Sequence, residues 1–426
     1  MTTDRAQRSR STGAPATGAP ARIGVALAGG GPLGGIYEIG ALVALDDSIE
    51  GLDFGALDVC VGVSSGGFVA AGLANGMSPA QMYRLFIDGG RHEALTPDLF
   101  LKPALREFGR RALSLPRLSW RALRQFVRDP ARRGALEALA TLAHAMPTGL
   151  FDNRAIETFL AQLFAAPGRT NDFRRLRHRL FIVATNLDTG QPVAFGSPGY
   201  EHVPISRAIE ASAALPGLFP PVEVDGTHYV DGALNKTLNA SLALDVGIDL
   251  LIGINPLVPL DARSAWRHGR LSVKRLARGG LPLVLSQTFR AVIHSRMQAG
   301  MDRYAARYPG TDIVLFEPAP EDVEMFFARI FSYSQRRRLC AVAFESVRAQ
   351  LRARRVELAP KLARHGLALR DARLDDPTRE IAAALADPRP LHAGRKRNAG
   401  LRAVRRDLEF VLRHLEREVE VLRALR

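Results

Sequence analysis

The chain has 426 residues, 47% apolar and 24% charged, with 58 Lys or Arg against 43 Asp or Glu and a formal charge of +15. That balance excludes wholesale disorder, and the length argues for two or three domains. With only Cys60 and Cys340, a disulfide-stapled secreted scaffold is excluded. No CxxC or Cys/His spacing suggests zinc, and a reducing, cytoplasmic setting is expected.

Taken in chain order, residues 1–21 are rich in Ser, Thr, Gly, Ala and Pro and hold no apolar stretch. They are expected to be disordered and not to form a secretory peptide. Arg22-Ile-Gly-Val-Ala-Leu-Ala28 reads as a buried strand entering Gly29-Gly30-Gly31, and helical spacing follows over residues 36–45. Asp58-Val-Cys-Val-Gly-Val63 predicts a second buried strand, then Ser64-Ser65-Gly66-Gly67, then a small-residue helix over 68–75. Residues 59–77 carry no charge, yet five glycines and two serines make them strand, turn and helix, not a membrane span. Further strands are predicted over 179–185, 228–230 and 249–254, with Ile313-Val-Leu-Phe-Glu-Pro318 as a final sheet strand. A helix over 205–215 stops at Pro216. Strands alternating with helices imply a parallel sheet covered on both faces.

Five of the 58 cations are Lys and the rest are Arg, a skew that weakens net charge as a sign of a polyanionic partner. Its distribution says more. Residues 97–150 are net +6, 261–300 net +7 and 391–426 net +5. The 97–150 segment reads as helical, with Leu99, Phe100, Leu101, Leu105, Phe108, Trp120 and Phe126 set among its arginines. In 391–426, Leu401, Val404, Leu408, Val411, Leu415, Leu422 and Leu425 lie on one seam broken by Glu418. That tail reads as an amphipathic helix packing on its own domain, with a coiled-coil or membrane-surface role as the rival.

Gly62-Val63-Ser64-Ser65-Gly66, between a hydrophobic strand and a small-residue helix, has the context of a nucleophile elbow. Glycines flank a turn too sharp for side chains, and Ser64 sits at the positive end of the following helix. Gly29-Gly30-Gly31-Pro32-Leu33-Gly34 reads either as a dinucleotide fingerprint or as a glycine nest whose N–H groups form an oxyanion hole. Pro32 removes an N–H that a pyrophosphate would use. The serine needs a base. His228 and Asp231 lie three residues apart and so face opposite sides of a strand, which disfavours a triad using both. Asp231, followed by Gly232 at a strand end, is the better base if burial raises its pKa.

In combination, the glycine nest, the G-x-S-x-G turn and Asp231-Gly232-Ala233, 167 residues after Ser64, resemble the patatin-like phospholipases. Ala184-Thr-Asn-Leu-Asp-Thr-Gly190 and Ala211-Ser-Ala-Ala-Leu-Pro-Gly-Leu-Phe-Pro-Pro-Val222 extend the resemblance over residues 22–260. It implies a three-layer α/β/α fold with a mostly parallel central sheet, here with a C-terminal helical extension. It also implies a Ser–Asp dyad: Ser64 as nucleophile, Asp231 as base, and Gly29, Gly30 and Gly31 as the oxyanion hole. Gly34, Gly62, Gly66, Gly232 and Ala233 complete the motifs. Leu33 stands where the family usually has Arg or Lys.

The expected organisation is a 22–260 catalytic domain with 97–150 as a basic insertion or lid, 261–390 as completing helices and strand, and the 391–426 helix. The expected function is metal-free and cofactor-free hydrolysis of phospholipid or other lipid esters. It is expected in the cytoplasm, with peripheral contact at the inner face of the membrane and no nucleic-acid partner. The competing readings are a nucleotide-binding oxidoreductase using Gly29 to Gly34 and a weakly catalytic lipid-binding scaffold.

Overall fold

A computed structural model of the chain describes residues 20–89, 102–104, 109, 120, 148–269, 275–327 and 335–386. The expected disordered N-terminus up to residue 19, nearly all of the basic 97–150 segment and the 391–426 helix lie outside the described residues. Described residues up to Ala384 belong to one compact unit, and residues from Leu385 onward belong to a second.

The core is a sheet in the order β6-β7-β4-β3-β1-β8-β9, with β5 also paired to β4. Its strands are β1 (Ile23–Leu27), β3 (Val59–Val63), β4 (Arg179–Asn186), β5 (Pro192–Phe195), β6 (Val222–Val224), β7 (Thr227–Asp231), β8 (Leu250–Ile254) and β9 (Asp312–Phe316). A separate pair joins β2 (Ile49–Glu50) to β10 (Ala368–Leu369). Strands β1, β3 and β8 are buried along their whole length, as continuous apolar runs between two helical layers must be.

Pairings β1–β3, β1–β8, β3–β4 and β8–β9 are parallel. Those of β4 with β5 and β7, and of β6 with β7, are antiparallel. The sheet is mostly parallel, as the sequence reading expected. The antiparallel pairs β4–β5 and β6–β7 join strands through short turns, where a tight reversal makes only antiparallel neighbours.

The helices that matter here are α1 (Gly31–Ser48), α2 (Ser65–Ala74), α3 (Arg154–Ala165), α4 (Ile205–Ser212), α5 (Ser241–Val246), α6 (Ala262–Arg267), α7 (Gly280–Arg307), α8 (Arg336–Ala353) and α9 (Arg355–Arg364). Helix α1 packs along α8 so closely that a Cβ on Gly40 would lie 2.4 Å from the Cys340 carbonyl oxygen. Helix α2 starts at Ser65, three residues before the apolar periodicity that predicted it. Gly66 is the reason: a Cβ there would meet the Leu27 carbonyl oxygen at 2.4 Å, so a residue of poor helix propensity is what the packing admits.

Both ends of the basic insertion are anchored. The Ala104 N–H donates to the Leu150 carbonyl and the Asp152 N–H to that of Lys102. Phe151 and Gly217 then donate to the Leu218 and Thr148 carbonyls, tying the insertion's roots to the segment that leads into β6.

Candidate active site

Ser64 follows β3 at φ 52° and ψ −121°, a backbone conformation that a residue with a Cβ rarely adopts. The register explains the turn. Val63 is opposite Val183 on β4, so one more strand residue would lie opposite Ala184. That place is taken, because Asp231 is opposite Ala184. Strand β5 occupies the other edge of β4 over Ile182 to Thr185, so β3 and β7 share one edge and end head to head. Ser64 must leave the sheet plane where Asp231 arrives.

Glycines make that collision possible. A Cβ on Gly62 would lie 2.5 Å from the Gly66 carbonyl oxygen and 2.6 Å from Cα of Gly67. One on Gly232 would lie 2.2 Å from the Val183 carbonyl oxygen, so the chain after Asp231 crosses directly over β4. Ala233 then arrives against Gly29, where an added Cβ would lie 3.0 Å from Ser64 Cβ and 3.1 Å from Ala233 Cβ.

Ser64 is 5% exposed and Asp231 3%. The Asp231 carboxylate accepts the Ala233 N–H at 2.8 Å. Burial pushes its pKa up to about 6, and the Ala233 and Ser64 donors pull in the opposite direction. The buried carboxyl thus has the raised basicity that a lone carboxylate partner of serine requires. His228 is exposed on β7 while Asp231 is buried, as the alternation of side chains along the strand requires.

The glycine nest lies beside this pair. The first turn bond of α1 runs from the Gly34 N–H to the Gly30 carbonyl at 3.1 Å, so the amides of Gly29, Gly30 and Gly31 precede the helical ladder. Gly31 has φ +62°, the turn that opens the nest. Pro32 stands within the first two helical positions, where its missing N–H removes no helical bond. Gly34 is held between Pro256 and the Ser65 hydroxyl, at 3.0 and 2.9 Å from an added Cβ. Leu33 is buried.

Sequence reasoning gave no role to Ser212 at the end of α4. The Ser64 N–H donates to its Oγ at 2.8 Å, and the Ser212 hydroxyl donates onward to the Val183 carbonyl at 2.5 Å. The elbow is therefore bolted to β4 through a side chain 148 residues away. Ser212 lies inside a motif quoted for its resemblance, but no spacing in the sequence assigns it this contact. The backbone of Asp231 is held from the same segment, its N–H donating to the Ala214 carbonyl.

With the geometry in place, comparison with known proteins is direct. The model of the family described as "Patatin-like phospholipase" matches residues 25–244, more than half of the chain. The chain belongs to the patatin-like phospholipase family. That membership makes it a carboxylic ester hydrolase by class. Ser64, Asp231 and the glycine nest all lie inside the match.

Among solved structures, VipD from Legionella pneumophila is 16% identical, with 76% of this chain and 67% of that chain covered and a TM-score of 0.31. The type III effector protein ExoU is 17% identical, with coverages of 79% and 53% and a TM-score of 0.32. A structure of SpcU in complex with ExoU from Pseudomonas aeruginosa gives 23% identity, coverages of 47% and 39%, and a TM-score of 0.24. The chain thus spans about two thirds of VipD and about half of ExoU.

Proposed function

We propose that the protein is a serine acyl hydrolase of lipid esters working through a Ser64–Asp231 dyad. The observation that carries this is the strained Ser64 at the strand end where the buried, raised-pKa carboxylate of Asp231 arrives. Strain held at a nucleophile marks a site that the surrounding fold over-determines. Ser64 Oγ attacks the ester carbonyl as Asp231 takes its proton. The amides of Gly29 to Gly31 receive the oxyanion, in the place where preorganised donors act most strongly. As the tetrahedral intermediate collapses, Asp231 returns the proton to the leaving alcohol. Water then attacks the acyl-enzyme with Asp231 again as base, freeing the acid and Ser64. No step draws on a metal or organic cofactor. The substrate is a phospholipid or related ester met at a lipid surface, which the family membership supports.

The test is hydrolysis of a panel of phospholipids, lysophospholipids, triacylglycerols and short-chain esters by wild type, Ser64→Ala, Asp231→Asn and the double variant, with fluorophosphonate labelling. Each single variant is expected to lose at least about a thousandfold in kcat, and the double little more, because the two residues act as a unit. His228→Ala is expected to retain activity. Labelling at a residue other than Ser64, or an additive double variant, overturns the dyad.

A further inference from the structure

Helix α7 is amphipathic in the wrong sense for a helix on a soluble protein. Its inward face places Gln287 and Arg290 against the chain that follows β8, and His294 3.6 Å from Glu317 just after β9. Gln287 exchanges hydrogen bonds with the Leu260 backbone at 3.1 and 2.9 Å, and the Arg290 guanidinium donates to the Val258 carbonyl. The outward face of the same turns is apolar: Leu281 is 70% exposed and Phe289 54%, with Val284, Leu285 and Val292 exposed between and beside them. These positions form one stripe at helical spacing over about three turns. Helix α6 packs next to α7 through Ala265 and Leu283 and turns Trp266 outward, 55% exposed. A contiguous apolar surface of this kind marks an interaction site.

The charge around the stripe identifies its occupant. Residues 262–301 hold eight Arg or Lys and no Asp or Glu. Arg263, Arg267, Arg278 and Arg296 are exposed. An apolar face flanked by exposed arginines matches an anionic bilayer, where the aliphatic and aromatic groups enter the headgroup boundary and the arginines meet phosphates. No helix among the described residues is long and apolar enough to cross a membrane, so attachment here is lateral. The placement suits the chemistry. Arg296 donates to the Leu234 carbonyl, three residues beyond Asp231, and Pro256, which opens the segment under α7, abuts Gly30 and Gly34.

We infer that the outward face of α7, with Trp266 and the arginines of α6, is the surface that docks the protein on anionic membranes, at the end of the sheet where Ser64 lies. The inference rests on the lipid-ester reading for its substrate but not for its binding measurement.

Full-length wild type, Leu285→Gln/Phe289→Ser and Arg263→Gln/Arg267→Gln are sedimented with phosphatidylcholine vesicles with and without phosphatidylglycerol, at low and high salt. A short-chain soluble ester is assayed in parallel. Wild type is expected to prefer the anionic vesicles and to be released by salt. Each double variant is expected to bind roughly tenfold or more weakly, with soluble-ester turnover unchanged. Phe289→Trp supplies a second readout: its added emission is expected to shift to the blue on anionic vesicles alone. Wild-type-like binding by the apolar variant, or no blue shift, overturns the inference. A concentration-dependent dimer that the apolar variant abolishes also overturns it, by showing a second copy on the stripe. Absence of soluble-ester turnover with the binding pattern intact fails the hydrolase reading and leaves docking standing.

Discussion

Ser64 and Asp231 are each held by the fold in a state their own chemistry disfavours, and both leave a thermodynamic mark. An unfolded Asp ionises near 3.8, and Asp231 in the fold near 6. Between those values the folded protein binds the proton more tightly, so stability falls as pH rises through that window. Above pH 6 the fold carries a buried charge that costs up to about 3 kcal/mol. Asp231→Asn is therefore expected to unfold at a higher temperature than wild type at pH 8 and at nearly the same temperature at pH 4, while losing activity. Wild-type kcat/KM is expected to rise with pH to a plateau above about 6, since the base must be ionised. At Ser64 the positive φ costs about 1–3 kcal/mol. Ser64→Gly is expected to unfold at higher denaturant than Ser64→Ala, reversing the usual order of those residues.

Ser212→Ala belongs with these. It leaves the Ser64 N–H and the Val183 carbonyl without the hydroxyl that joins them, at about 1–3 kcal/mol for each buried group left unpaired. A drop in kcat with KM little changed is expected, since the elbow loses its hold while the substrate surface is untouched. An increase in KM alone would assign Ser212 to substrate binding.

Helix α1 shows how one element serves two neighbours with opposite demands. At Gly40 the α8 backbone comes so close that a Cβ would lie 2.4 Å from a carbonyl oxygen. At Gly35 an added Cβ meets only Ser65 Cβ at 3.7 Å, ordinary contact. In a helix interior Ala is favoured over Gly by about 1 kcal/mol. Gly35→Ala is expected to keep that gain, while Gly40→Ala is expected to destabilise by about 1–3 kcal/mol, because backbone cannot retreat from the methyl as a side chain can. Chemical denaturation of the pair reads the difference directly. Gly35 and Gly40 read alike within one apolar helix; only the packing tells them apart.

For the molecule as a whole, the C-terminal part of the described chain is fastened by arginines to elements read from the sequence as the catalytic domain. Arg348 of α8 is 1% exposed, and its guanidinium donates to the carbonyls of Arg373, Leu374, Asp376 and Arg379. Arg379 and Arg373 in turn bind Asp47 at the end of α1. Arg348→Met is expected to destabilise by about 1–3 kcal/mol for each buried carbonyl left unpaired. Residues 371–386 are expected to become the first site of limited proteolysis.

The sequence alone determined the buried parallel strands and the nucleophile turn, because such strands are written as uninterrupted apolar runs and a sharp turn is written in glycine; the short strands β5 and β6 carry no such run and only the structure shows them. The sequence also singled out Asp231, by a strand end followed by glycine and by the resemblance that four ordered motifs carry. Tertiary structure decided what brings Ser64 and Asp231 together. That depends on β3 and β7 meeting on one edge of β4, a register fixed by pairing over 167 residues of separation, of which a local pattern holds no trace. It decided Ser212 for the same reason. It also decided the outward face of α7, since exposure is a property of what a helix packs against: Leu281, Phe289 and Val292 face solvent while Gln287 and Arg290 turn inward.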